Sequence, residues 1–154
     1  MDTGVLMDEA ASWEERGKLA RLGISVLDFM IGSWKGTGKS FDAHITATLV
    51  VRPILDGTWL EATETLFDAD GQIDHQDTSM YRFDPDNSRL EVLHLMGHAT
   101  FARHPIEPVG DALHWITGPG APRLAIQPRG GGLRTEVQFP GEPAPAVTID
   151  YKPA

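Results

Sequence analysis

From Gly32 onward the chain alternates apolar and polar residues with a period of two, and the alternation is broken every eight to twelve residues by a turn signal. Residues 44–51 set Ile45, Ala47, Leu49 and Val51 against His44, Thr46 and Thr48. Residues 133–139 set Leu133, Thr135, Val137 and Phe139 against Arg134, Glu136 and Gln138. Such alternation is the signature of a half-buried strand. Further segments over 33–41, 58–67, 76–83, 89–96, 98–104, 112–117, 123–127 and 146–151 bring the expected total to about ten. Asp56-Gly57, Asp84-Pro85-Asp86-Asn87, Gly118-Pro119-Gly120 and Gly130-Gly131-Gly132 punctuate them, and these residues favour tight turns. No segment of crossover length separates the strands, so they are expected to pair as an antiparallel meander. A meander this long has two unpaired edges to hide, and closure into a barrel removes both. The expected fold is all-β, a single antiparallel meander barrel of about ten strands.

The first thirty residues follow a different rule. Residues 8–21 read as a helix with Asp8 as N-cap and Gly23 as its stop, after a loose arm over 1–7. Ser25 is placed to cap a second short helix that turns Val26, Phe29 and Met30 inward and ends at Gly32. These helices lead into the barrel and are suited to plug one mouth. One domain over 1–154 is expected, with the arm and helices in 1–31 and the barrel in 32–154. Gly36 and Gly38 fall on one face of the first strand, where repeated glycine indicates a bend or a close approach by another group.

Charge and composition narrow the partners. The 154 residues hold 22 acidic and 13 basic side chains, a net charge of −9, which opposes association with nucleic acid or an anionic membrane. The absence of cysteine excludes disulfides, thiolate nucleophiles and Cys-type zinc sites. The acidic N-terminus lacks a secretory pattern, and no apolar run nears the ~20 residues of a spanning helix. A cytoplasmic protein is expected, without membrane insertion and with a homodimer as the assembly considered.

The run Phe29-Met30-Ile31-Gly32-Ser33-Trp34-Lys35-Gly36-Thr37-Gly38 resembles the opening of small calycin-like, lipocalin-shaped barrels. Arg52-Pro53-Ile54-Leu55-Asp56-Gly57-Thr58-Trp59-Leu60-Glu61 and Met80-Tyr81-Arg82-Phe83-Asp84-Pro85-Asp86-Asn87-Ser88-Arg89-Leu90 resemble two hairpins of a mostly uncharacterised bacterial family of that shape. The resemblance covers roughly residues 27–100 and implies a barrel with an internal pocket. The related nitrobindins hold haem through a late histidine. Here the last histidine is His114, residues 123–151 contain none, and Ser40-Phe41-Asp42 stands where a tyrosine–proline pair often follows the glycine-rich opening. No cofactor is therefore expected.

The favoured function is binding of a small, mostly apolar molecule inside the barrel. Trp34, Trp59, Met80, Met96, Phe101 and Trp115 are the candidate lining residues, because large flat rings and flexible thioethers suit apolar ligands. The same residues suit an ordinary core. The alternative is a cyclase, isomerase or hydrolase in which His94, His98, Glu61 or Tyr81 transfers protons in a dry pocket. Glu61 and Glu64 lie on opposite faces of one strand, so at most one points inward. His94 and His98 flank Gly97 and do not form the helical zinc pair. A third ligand from Glu61, Glu64 or Asp77 is not demanded by spacing, and no metal site is expected. Haem held by His94 or His98 is the weakest reading. Gly36-Thr37-Gly38 opens no helix, and Ser33 lacks the second glycine of a nucleophile elbow.

Overall fold

A computed structural model describes the backbone of residues 3–154 and the side chains of residues 12–154. Ten strands follow one another: β1 Gly32–Ser40, β2 Ala43–Ile54, β3 Trp59–Phe67, β4 Ile73–Asp84, β5 Arg89–Met96, β6 Thr100–Val109, β7 Ala112–Trp115, β8 Arg123–Arg129, β9 Gly132–Gln138 and β10 Val147–Pro153. Each pairs antiparallel with its neighbours in sequence, and β1 pairs with β10 to close the barrel. The meander expected from the alternation is the fold observed. The strand expected over 98–104 runs on through Pro105 and Pro108 as β6, and that expected over 123–127 continues through Pro128 as β8. Proline removes only a ladder donor, so a strand position that needs no N–H tolerates it.

The lead-in differs from expectation. One helix, α1, runs Thr3–Ile24 and is followed by a 3₁₀ helix over Ser25–Met30. Helical backbone therefore starts before Asp8. The proposed Asp8 cap concerns a side chain outside the described residues, as do residues 1 and 2 of the expected arm. Gly23 does not stop the helix. A Cβ there would lie 2.1 Å from Cγ of Phe83, so the glycine lets α1 press onto the end of β4. Ser25 does not cap the second helix; its hydroxyl donates to the Leu22 carbonyl at 2.5 Å. Leu27 and Met30 are buried and join Ile24 in the core, while Val26, expected to turn inward, is exposed. Arg16 pairs with Asp86 and Arg21 with Asp56, tying α1 to the β4–β5 and β2–β3 turns. The helices thus close one end of the barrel. Among the described residues no helix is long and apolar enough to cross a membrane.

The inner face is set by strand parity, because successive side chains point to opposite sides. Ile45, Ala47, Leu49 and Val51 of β2, Leu60, Ala62 and Leu66 of β3, and Ile149 and Tyr151 of β10 are buried. Gly36 faces them: its missing Cβ would lie 2.7 Å from both Ile149 and the Tyr151 ring. At Gly38 a Cβ would lie 1.9 Å from the Thr148 carbonyl oxygen. The two glycines therefore allow close approach of β10, and the first makes room for the Tyr151 ring to lie across the interior.

Candidate functional site

A cavity of about 410 Å³ opens inside the barrel, away from the plugged end. Met30 forms part of its floor, and Leu49, Ala62, Leu66, Ile126 and Ile149 supply apolar wall. Phe41 stands at the mouth in the β1–β2 turn, with φ of +50°. Asn and Gly are the usual occupants of such a turn, and a bulky ring is uncommon there. Its ring lies 5.8 Å from that of Phe139.

The main polar cluster of this cavity draws its groups from four strands. Parity turns Glu64 of β3 inward, with Asp77, Ser79 and Tyr81 of β4, His94 of β5 and Tyr151 of β10. Register places Glu64 directly opposite Asp77, and Ser79 directly opposite His94. Two facing carboxylates repel one another, and their surroundings resolve the conflict differently. Asp77 is gripped by two imidazoles: His75 Nε2 lies 2.8 Å and His94 Nε2 3.3 Å from Asp77 Oδ2. An ionised carboxylate only accepts, so both rings present Nε2–H to it. Burial pushes the Asp77 carboxyl up, but the bonds from His75 and His94 and their charge outweigh burial and hold it below its usual range. In return, the bond to Asp77 raises the His75 pKa against the effect of burial.

Glu64 has no such help. Its Oε2 accepts the hydroxyl proton of Tyr151, which reaches across from β10. Burial first, and then the charge of Asp77, push the Glu64 carboxyl up to about 7, against the Tyr151 bond and the two histidines. The proton of Glu64 is thus exchangeable near neutrality, as an acid–base group requires. Tyr81 and Tyr151 are pushed above the ordinary phenol range, chiefly by burial, and remain donors.

Aromatic rings back the cluster. Trp115 lies edge-on to His94 at 5.1 Å and to Tyr81 at 6.1 Å, and His104 stacks behind it at 6.1 Å. Burial, followed by the charge of His94, lowers the His104 pKa. Trp115 is 4 % exposed and lines the cavity, and its indole N–H makes no well-formed hydrogen bond, with the Tyr81 hydroxyl as its neighbour.

The structure brings together only part of the set expected from sequence. His94, Tyr81 and Trp115 line the cavity. Glu61 lies on the outer face, paired with Arg52 at 2.9 Å; the inward carboxylate of β3 is Glu64. His98 is exposed in the β5–β6 turn, bonded to Thr100 Oγ1 at 2.7 Å. Trp59 lies outside with Arg82 over its ring at 5.6 Å. Met80 and Met96 border an external groove, and Phe101 is 72 % exposed opposite Leu95. Trp34 lies below the cavity, donating to the Met30 carbonyl at 2.8 Å and so fixing the plug. His75, Ser79 and Tyr151 were not singled out by sequence reasoning. Parity with Tyr81 along β4 would have flagged His75, Asp77 and Ser79, and parity with Ile149 would have flagged Tyr151. Among the described residues, no group of three or more His, Asp or Glu is arranged to hold a metal ion.

No protein-family model matches this chain, and no curated protein matches it.

Proposed function

We propose that this chain is a calycin-like barrel that binds a small, mostly apolar molecule in its interior. The observation that carries the reading is the cavity itself: about 410 Å³, walled largely by aliphatic side chains, with a cluster of polar groups among them. That volume lies within the roughly 300–1,000 Å³ of small-molecule sites, which pair apolar walls with a few converging polar groups. Apolar surface drives entry, and the polar side orients the guest.

The test uses Nile red, a neutral dye that brightens when it leaves water. It should bind the unaltered protein at one site per chain. Ala62→Phe, which projects a ring from the inner face of β3 into the cavity, should abolish that binding while circular dichroism stays unchanged. Equal binding by both proteins would place the dye elsewhere and refute the reading.

One observation favours a second reading, general acid–base catalysis on the bound molecule. Glu64 holds a proton with a pKa of about 7, and Asp77 with His94 lies directly across the strand pair. In that reading Glu64 gives or takes the proton, His94 and Asp77 complement it, and the Tyr81 hydroxyl donates to an oxygen of the substrate. Glu64 takes the role first assigned to Glu61. Haem fits less well, because His94 spends Nε2 on Asp77 and His98 stands outside the cavity.

A further inference from the structure

Resting on the reading of the cavity as a binding site, the charge of its lining says more about the guest. Four carboxylates line it: Glu64 and Asp77 inside, with Asp74 and Glu136 also contributing. Among the described residues no lysine or arginine does so. Among the described lining residues the basic groups are His75 and His94, and both are committed to Asp77. Glu64 is left with a neutral partner, the Tyr151 hydroxyl. A buried carboxyl without a cation prefers to keep its proton, because the charged form loses its water. A guest that brings a positive charge supplies the missing counter-ion.

A further feature favours such a guest. Tyr81, on the strand next to that of Glu64, adds aromatic surface to the cavity lining, and a desolvated ammonium is attracted to aromatic faces. A carboxylate-bearing guest such as a fatty acid meets the opposite situation: the carboxyls of Asp77 and Glu64, and among the described lining residues no lysine or arginine to receive it.

We propose that the cavity selects a lipophilic amine, an apolar body carrying a protonated amino group that pairs with Glu64. The apolar walls take the body, and the β3–β10 side of the chamber takes the ammonium.

The experiment is a calorimetric titration of the full chain with three probes that share one tail: n-decylamine, n-decanol and n-decanoate. It is run at about pH 8, above the Glu64 value of about 7 and below the ~10.4 of an ordinary amine. Decylamine should bind at least about tenfold more tightly than decanol, and decanoate most weakly. In Glu64→Gln, which keeps shape and removes charge, the advantage of decylamine over decanol should disappear. If decanol or decanoate binds as well as decylamine, or if the preference survives in Glu64→Gln, the selectivity proposed here is wrong and the binding cavity stands. If none of the three binds, the binding reading itself fails. The ranking on the unaltered protein decides the question even where the variant does not fold.

Discussion

The two faces of the barrel wall formed by β3, β4 and β5 carry the same acid residue types and treat them oppositely. On the outer face Glu61 is met by Arg52, and Glu91 is met by both Arg82 and Arg103. Glu91 is 4 % exposed, yet Arg103 reaches it at 2.8 Å with its own side chain largely in water. Both of these acids have a permanent cation, because guanidinium does not lose its proton. On the inner face Glu64 has a tyrosine and Asp77 has two histidines. These partners are neutral or titratable. The outer pairs fasten strands together and have one state. Glu64 changes state near neutral pH, and a charged guest can enter its balance. One wall, a few ångströms thick, thus separates acids that hold the structure from acids available for chemistry.

That contrast can be broken by substitutions made in matched positions. The largest effect is expected from neighbours on β3. Ala62→Phe fills the cavity and should abolish Nile red binding, whereas Thr63→Phe, one residue on and facing the external groove, should leave it intact. Equal loss from both would mean that the two faces do not differ in this respect.

The next effect is on stability and its pH dependence. Glu64 holds its proton more tightly in the folded protein than in the unfolded chain. Its contribution is therefore fully present below about 4.5, its ordinary value, and is lost as pH rises through about 7. The full loss amounts to on the order of 3 kcal/mol. His75, also raised, acts in the same direction at the pH where it titrates. Urea unfolding of the unaltered protein and of Glu64→Gln from acid to about pH 8 isolates the Glu64 part. The stability advantage of the unaltered protein over the variant should shrink steadily across that window. A constant difference would place Glu64 with the outer acids.

A smaller effect is expected at Glu91. Removing it strands two guanidinium groups that can still reach water, so Glu91→Ala should cost roughly 1–3 kcal/mol in urea unfolding with Nile red affinity unchanged. Smallest of all is Glu61→Gln, which breaks one surface pair and should cost no more than about 1 kcal/mol, again without altering the dye titration. Loss of binding in either variant would show that the outer face reaches the cavity.

The sequence made the barrel readable because its signals are local. Period-two alternation and glycine- or proline-rich turns are written residue by residue, and the ten strands follow from them. The helical lead-in was less legible. Gly23 reads as a stop, but its role is set by contact with Phe83, sixty residues away, which local pattern does not contain. The site was legible only in part for the same reason. Alternation shows that Glu61 and Glu64 point opposite ways without saying which way is in. That is decided by register across the barrel, where Gly36 leaves room for Tyr151 and Tyr151 meets Glu64. Trp59, Met80 and Phe101 have the apolar character of lining residues yet lie outside. Composition records a side chain's chemistry and not the face it occupies. His98 is near His94 in sequence but falls in a turn beyond the strand's end.

The most direct test of the central claim, that an acid without a permanent cation lies inside a ligand cavity, is the titration of Glu64 itself. Carbon-detected NMR of protein labelled at glutamate side-chain carboxyls follows each acid separately, and Glu64→Gln assigns the resonance. The account predicts a midpoint near 7 for Glu64. A midpoint near the ordinary 4.5 would mean that water or an unseen cation already satisfies this carboxyl, and would contradict the account.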